Sequence, residues 1–273
     1  MVYLDHGDRR HLVWHDLEMA ASASGISLEQ AASNIEASVI HQLGVEEGPA
    51  VEEILKPLTL LFDIDGVLGF LTETIVTGLN AHFGTSLVVS EMTDYWLEEV
   101  LPPDQSKWLV EQFQRPVVYA NVAPDYAGIA AVQAIWRARD RLLARPITIV
   151  VSSDRPPDAQ QVTKDWLRKW RVPYDQLVLR GKGGKLSIAR EHDPEHPLIL
   201  LDDDPRKMET VATLPGCRVW TPLRPWTPRR TPPAGSRFFD AWADVLEWLD
   251  IPDDIPVPQF STEAGPAQQS NSS

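Results

Sequence analysis

The stretch Leu60-Leu61-Phe62-Asp63-Ile64-Asp65-Gly66-Val67-Leu68 decides the reading of this chain. An apolar run that begins at Leu58 ends in two carboxylates one residue apart, followed by a glycine. A short apolar run of this kind suits a strand buried on both faces, and the glycine suits the turn that leaves it. Where such a strand leaves its sheet, both acids can turn toward one crevice. Two carboxylates so close repel each other, and a bound divalent cation relieves that repulsion. A calcium-binding loop of the EF-hand type is a poor match, because Val67 stands where it needs a third ligand and Thr74 where it needs a glutamate. A surface turn carrying two unrelated acids is the remaining alternative.

Three later segments bear on that choice. Ile147–Val151 is a second apolar run and delivers Ser152-Ser153-Asp154-Arg155-Pro156, a hydroxyl beside turn-forming residues whose N–H groups suit a phosphate. Gly181-Lys182-Gly183-Gly184-Lys185 opens a helix, and a helix N-terminus with a lysine suits a phosphoryl group. Its spacing is not that of a P-loop. Leu198–Leu201 ends in Asp202-Asp203-Asp204-Pro205, where one of the acids can also serve as a helix cap. Acid pair, hydroxyl, lysine and acid pair thus follow one another, each at the end of a predicted strand or the start of a helix.

Further runs at Leu177–Leu179 and Cys217–Trp220 bring the predicted strands to five. Helices are expected at about 158–170, 185–191, 205–214 and 238–249. The alternation predicts an α/β architecture, a Rossmann-like parallel sheet with helices on both faces. Residues 69–140 interrupt it after the first strand. They read as mainly helical and rich in aromatics, a small cap inserted into a core made of 58–68 and 141–250. Residues 1–57 read as a helical extension, with helices at about 12–24 and 28–43, the second opened by Ser27-Leu28-Glu29-Gln30. Residues 251–273 read as a polar, disordered tail.

The chain has 273 residues, a net charge of −14 and one cysteine, Cys217. That excludes an intramolecular disulfide and a cysteine-rich zinc site. The charge argues against unassisted binding to nucleic-acid backbone, and the extension, with ten acidic and three basic residues, argues against a DNA-reading helix there. A packing appendage, or a helix pair for a protein partner or self-association, is the reading left for residues 1–57. With no apolar run near the roughly 18–20 residues of a membrane helix and no signal-peptide pattern, a cytoplasmic protein with no membrane contact is expected. Of the seven histidines, only His192, next to Asp193, and His196 stand near an acid at a spacing that suits a metal, and the histidines read as surface residues. The Pro/Arg-rich loop 222–235 offers Arg224, Arg229 and Arg230 to solvent, to a substrate's second phosphate or to a nucleic-acid end.

Taken together, these segments resemble the four motifs of the haloacid dehalogenase-like superfamily of phosphohydrolases, in order, over residues 58–250. The resemblance implies that Asp63 is the nucleophile and Asp65 the general acid/base. It implies that Ser153 and Lys185 bind the phosphoryl group, and that Mg²⁺ is held by Asp63, the Asp65 carbonyl and Asp203, with Asp202 in support. Ser152 competes with Ser153 and Lys182 with Lys185; the Ser-x-Arg-Pro run and the helix start favour Ser153 and Lys185. Asp94-Tyr95-Trp96, the segment from Val117-Val118-Tyr119 to Pro124, Trp166 and Trp242 are similar to the 5′(3′)-deoxyribonucleotidase-like branch. A small phosphorylated substrate is implied, a (deoxy)nucleoside monophosphate or similar ester, with Phe70, Tyr95, Trp96 and Tyr119 as candidate pocket residues because aromatics stack on bases. The alternatives are a phosphatase for nucleic-acid ends and a binding module that docks a partner through residues 1–57.

Overall fold

The computed structural model describes residues 56–251, apart from Trp96, 140–145, Arg180, Lys182 and 228–230. The helices expected within residues 1–57 and the tail beyond residue 251 lie outside the described residues.

Strand β1 (Leu58–Asp63) occupies the middle of a six-stranded sheet in the order β5-β4-β1-β6-β7-β8. Its neighbours are β4 (Ile147–Ser153) and β6 (Leu198–Leu201), and β5 (Gln176–Leu179) lies outside β4. On the other side, β7 (Cys217–Pro222) and β8 (Arg237–Phe239) follow β6. Every pairing in this sheet is parallel. The register sets Asp63 beside Ser152 and Phe62 beside Leu201, so the three motif-bearing strands end side by side. The chain moves outward from β1 through β4 to β5, then returns to the other side of β1. That reversal opens a crevice at the carboxyl ends of the strands.

Both faces of the sheet are covered, which is why its strands are near-continuous apolar runs. One face carries helices α5 (Tyr126–Ala138), α6 (Gln160–Lys169) and α9 (Trp242–Trp248). Ile129, Val132 and Ile135 of α5 share one core with Leu60 and Phe62 of β1. α5 and α9 approach closely at Gly128, where an added Cβ would lie 2.8 Å from the Trp242 ring. Trp242 Nε1 also donates to Asp125 Oδ2 at 3.2 Å. The other face carries α7 (Gly184–Glu191) and α8 (Pro205–Thr210), with Ala189 and Met208 packed on Leu61 and Leu200.

The segment after β1 is mainly helical, as expected. A two-stranded antiparallel ribbon, β2 (Gly69–Phe70) with β3 (Ala123–Pro124), brings its two ends together. Between them stand α1 (Leu71–Phe83), α2 (Leu97–Val100), α3 (Pro103–Phe113) and α4 (Pro116–Ala120). These build a separate small core around Ile75, Val76, Leu97 and Leu109. Helix α5 falls within the sequence range read as cap, yet its apolar side packs on the sheet. Two helix readings shift. The helix expected at 205–214 stops at Thr210, and the one expected at 238–249 starts at Trp242, because Phe238 and Phe239 extend the sheet as β8. Among the described residues no helix is long and apolar enough to cross a membrane.

Candidate active site

Asp63 is the last residue of β1 and is 3% exposed. The chain then turns tightly: Leu68 N and Gly69 N both donate to Ile64 O, and Gly66 N donates to Gly69 O. Gly66 adopts φ +80°, in the left-handed region that favours glycine. Its Cα also abuts Asp203, so a Cβ there would overlap the Asp203 carboxylate. Asp202 and Asp203 follow β6 directly and are buried. Oxygens of Asp63, Asp202 and Asp203 all lie within 4.8 Å of one another, which makes this trio a candidate cation site.

Lys185, the second residue of α7, reaches into this cluster. Its Nζ lies 2.5 Å from Asp63 Oδ2 and 2.9 Å from Asp202 Oδ2. Gly183, at φ +83°, turns the chain into the helix. Burial pushes the Asp63 carboxyl up to about 8; Lys185 opposes the shift, while the charges of Asp202 and Asp65 reinforce it. Asp203 is also raised, first by burial and then by Asp202 and Asp63. Burial works against the charge on Lys185, but Asp202 and Asp63 outweigh it and hold the ammonium well above its usual range. One lysine is thus shared by buried acids whose charges it does not fully offset.

The donor set fits Mg²⁺. It offers only carboxylate oxygens, the ligands a hard cation takes. Asp203 Oδ1 is buried without a hydrogen-bond partner among the described residues, an atom that a cation would satisfy.

Asp65 faces a different environment. Its carboxylate accepts from Arg155 Nε at 2.8 Å and Arg155 Nη2 at 2.6 Å. Ser153 Oγ donates to Asp65 Oδ2 at 3.1 Å. The hydroxyl of Ser153 is therefore the one turned to the acid; Ser152, next to it on the strand, is buried and its Oγ has no hydrogen-bond partner among the described residues. Lys182, the competitor of Lys185, lies outside the described residues. Asp204 caps α8, accepting from Arg206 N at 3.0 Å and pairing with the Arg206 guanidinium at 2.8 Å.

The cap closes over the crevice. A cavity of about 100 Å³ lies between Asp65, Gly66 and Asp203 on the core side and Thr72, Ile75, Tyr95 and Phe113 on the cap side. Burial and the charges of Asp203, Asp202 and Asp204 drive the Tyr95 phenol up, so it stays protonated. Of the other candidate pocket residues, Trp96 lies outside the described residues. Tyr119 is buried, its hydroxyl donating to Phe113 O at 2.7 Å. Phe70 lies beneath the Arg224 guanidinium, 5.4 Å from it.

The sequence left Arg155 without a role and offered Arg224 only to solvent or to a substrate or nucleic-acid phosphate. Arg155 counted there only as part of the Ser-x-Arg-Pro run, and nothing local marked it as the partner of an acid 90 residues earlier. Arg224 turns inward and donates to Gly66 O from Nε at 3.1 Å and from Nη2 at 2.7 Å. Arg229 and Arg230 lie outside the described residues.

No family model matches the chain. It is 24% identical over 185 residues to a "putative nucleotidase" of Halalkalibacterium halodurans, spanning 60% of this chain and 89% of that one. It is 26% identical over 136 residues to a "putative nucleotidase" of Bacillus subtilis, spanning 50% of this chain and 66% of that one. Among solved structures it is similar to CbbY from Rhodobacter sphaeroides in complex with phosphate (TM-score 0.41, 17% identity, 70% of this chain and 98% of that one). It is also similar to a "putative beta-phosphoglucomutase" from Thermotoga maritima (TM-score 0.45, 15% identity, 70% and 98%). Its acid pairs, hydroxyl and lysine are gathered at one edge of a parallel sheet, the arrangement that the resemblance to the haloacid dehalogenase-like phosphohydrolases implies.

Proposed function

We propose that the protein is a Mg²⁺-dependent phosphomonoesterase with Asp63 as nucleophile, acting on a (deoxy)nucleoside monophosphate or a comparable small phosphate ester. The observation that carries this reading is the buried Asp63–Lys185 pair inside an acid cluster that opens onto the cap cavity. Lys185 neutralises charge on the incoming phosphoryl group and presents Asp63 to it. An Asp63 oxygen bonds to phosphorus while the bond from phosphorus to the ester oxygen breaks, and Asp65 gives its proton to that leaving oxygen. Water then attacks the aspartyl-phosphate, Asp65 takes a proton from it, and the phosphorus–Asp63 bond breaks to release phosphate. Ser153 holds a phosphoryl oxygen. Asp63, Asp203 and the Asp65 carbonyl would hold Mg²⁺, with Asp202 in support. When bound, the ion supplies positive charge that keeps the carboxylates ionised and offsets the charge of the phosphoryl oxygens.

The nucleotide part of the proposal draws on the printed names of the two sequence relatives and on Tyr95 and Phe113 at the cap wall, rings suited to a base. The inward turn of Arg224 removes one of the loop cations on which a role at nucleic-acid ends would depend. The test is phosphate release from deoxynucleotides, ribonucleotides, sugar phosphates and phosphorylated oligonucleotides, using wild type and Asp63→Asn, with Mg²⁺ and with chelator. Mg²⁺-dependent release from mononucleotides that vanishes in Asp63→Asn is the expected result. Folded wild type that releases nothing from any of them overturns the proposal, and preference for oligonucleotide ends overturns its substrate part.

A further inference from the structure

We infer that Arg155 is the positioning residue for Asp65, and that the cap sets it through Tyr119. The inference rests on the phosphatase reading and adds to it the device that aims the acid. The Arg155 side chain is 0% exposed, whereas the Asp65 side chain is 17% exposed and lines the cavity. The arginine therefore sits behind the acid and does not touch substrate. Its Nε and Nη2 engage the two carboxylate oxygens side by side, a fork that fixes the plane of the carboxylate. The guanidinium is itself anchored, because Nη1 donates to Thr163 Oγ1 at 3.1 Å on α6. Ser153, whose Oγ also accepts from Arg155 N at 3.2 Å, completes the frame.

Counting lone pairs shows which partner holds the acid throughout. A carboxylate offers two on each oxygen. Among the described residues, Asp65 Oδ2 accepts from Arg155 Nε and Ser153 Oγ, while Oδ1 accepts from Arg155 Nη2 alone. Ser153 has a single proton to donate, so when its hydroxyl turns to a phosphoryl oxygen the Arg155 fork alone holds the plane of the Asp65 carboxylate. The link to the cap is equally concrete. The Arg155 guanidinium lies 4.6 Å from the centre of the Tyr119 ring, a cation–π contact. The Tyr119 hydroxyl is tied to Phe113 O, and Phe113 lines the cavity. Seating the cap thus completes the clamp on the general acid.

The test compares two leaving groups, because only a basic alkoxide needs the proton from Asp65. Arg155→Lys and Arg155→Ala are assayed with the best alkyl phosphomonoester of the panel and with p-nitrophenyl phosphate, whose phenolate departs without it. Loss of about 10²-fold or more is expected for the alkyl ester, the usual contribution of a general acid. With p-nitrophenyl phosphate, a rapid burst of nitrophenol stoichiometric with enzyme is expected, followed by slow turnover as the aspartyl-phosphate accumulates. Added guanidinium is expected to restore part of the lost rate in Arg155→Ala. Equal losses on both substrates without a burst, or alkyl-ester turnover within twofold of wild type, overturn the inference. Tyr119→Leu leaves the ion pair intact and decides the matter if the Arg155 variants do not fold. The same pattern is expected of it, a loss of about tenfold on the alkyl ester with a burst on p-nitrophenyl phosphate; an even loss without a burst, or no loss, overturns the inference. If wild type turns over neither substrate, the phosphatase reading itself has failed, a result distinct from all of these.

Discussion

Arg224 holds the carbonyl oxygen of Gly66 with two N–H donors, at 2.7 and 3.1 Å, and so ties the loop after β7 to the turn that carries Asp65. The same guanidinium stands 3.8 Å from Asp125 Oδ2 and lowers the Asp203 carboxyl against the burial that raises it. Arg224→Ala is expected to cut kcat/KM about tenfold, equivalent to about 1.4 kcal/mol of transition-state stabilisation. Arg224→Lys, which keeps the charge but not the fork, is expected to recover only part of it. Steady-state kinetics with the best substrate, beside a thermal melt, checks both.

Gly66 is expected to tolerate no side chain. Its positive φ alone would cost an L-residue about 1–2 kcal/mol, a loss that a domain of this size survives. The added methyl would also displace the Asp203 carboxylate from the cation site. Gly66→Ala is therefore expected to fold with a lowered melting temperature and to lose about 10²-fold or more of its activity. Gly84→Ala is the control. Gly84 has φ +66°, but beyond its chain neighbours no described residue comes within 4 Å of the position its Cβ would take, so the strain is similar and the site is untouched. Equal activity losses in the two variants would refute this account.

The raised Asp63 carboxyl makes the stability of the metal-free protein depend on pH in a definite direction. Between about pH 4 and about pH 8 the folded protein keeps a proton on Asp63 that the unfolded chain releases. The native state then binds more protons than the unfolded one, so stability falls as pH rises through this window. The contribution is full below pH 4 and lost above about pH 8. Mg²⁺ requires ionised ligands and so binds more tightly as pH rises. Melts in chelator and in Mg²⁺ at pH 6 and pH 8.5 check this: the Mg²⁺-induced gain should be larger at the higher pH.

Lys185→Met keeps the length of the side chain and removes its charge from between Asp63 and Asp202. Breaking a buried ion pair on one side costs about 3–5 kcal/mol, because the partner's charge is left uncompensated. Denaturant unfolding of the metal-free variant should show a loss of that order at pH 8, shrinking as the pH is lowered and the acids take up protons. Activity should fall by about 10²–10³-fold, as when one preorganised electrostatic group is removed from an active site.

The parallel sheet and its acid-bearing strand ends were legible because burial on both faces forces long apolar runs, and nothing hides where such a run ends. Lys185 was legible for a similar reason, since a glycine-rich entry to a helix has few other uses. Arg155 was not. An arginine in a Pro-bounded turn has the local pattern of a surface cation, and only the parallel register of β1 with β4 brings it to Asp65. The aromatics Tyr119 and Phe70 carried too little local information to tell a pocket wall from a packing surface. Strand β8 is three residues long and follows a Pro-rich loop, too short to show a period. Helix α5 has the pattern of any amphipathic helix, which does not say which of two neighbouring cores it serves.

The ribbon of Gly69–Phe70 with Ala123–Pro124 sets Phe70 directly opposite Ala123. In chain terms, everything between those two residues is an overgrown hairpin loop, and a two-residue turn would join the ribbon without it. The sheet would keep its register and its acids whether that loop is long, short or replaced by another. The sheet that carries the acids and the segment that roofs them are therefore separate stretches of chain, joined at the ribbon and touching again where Tyr119 meets Arg155.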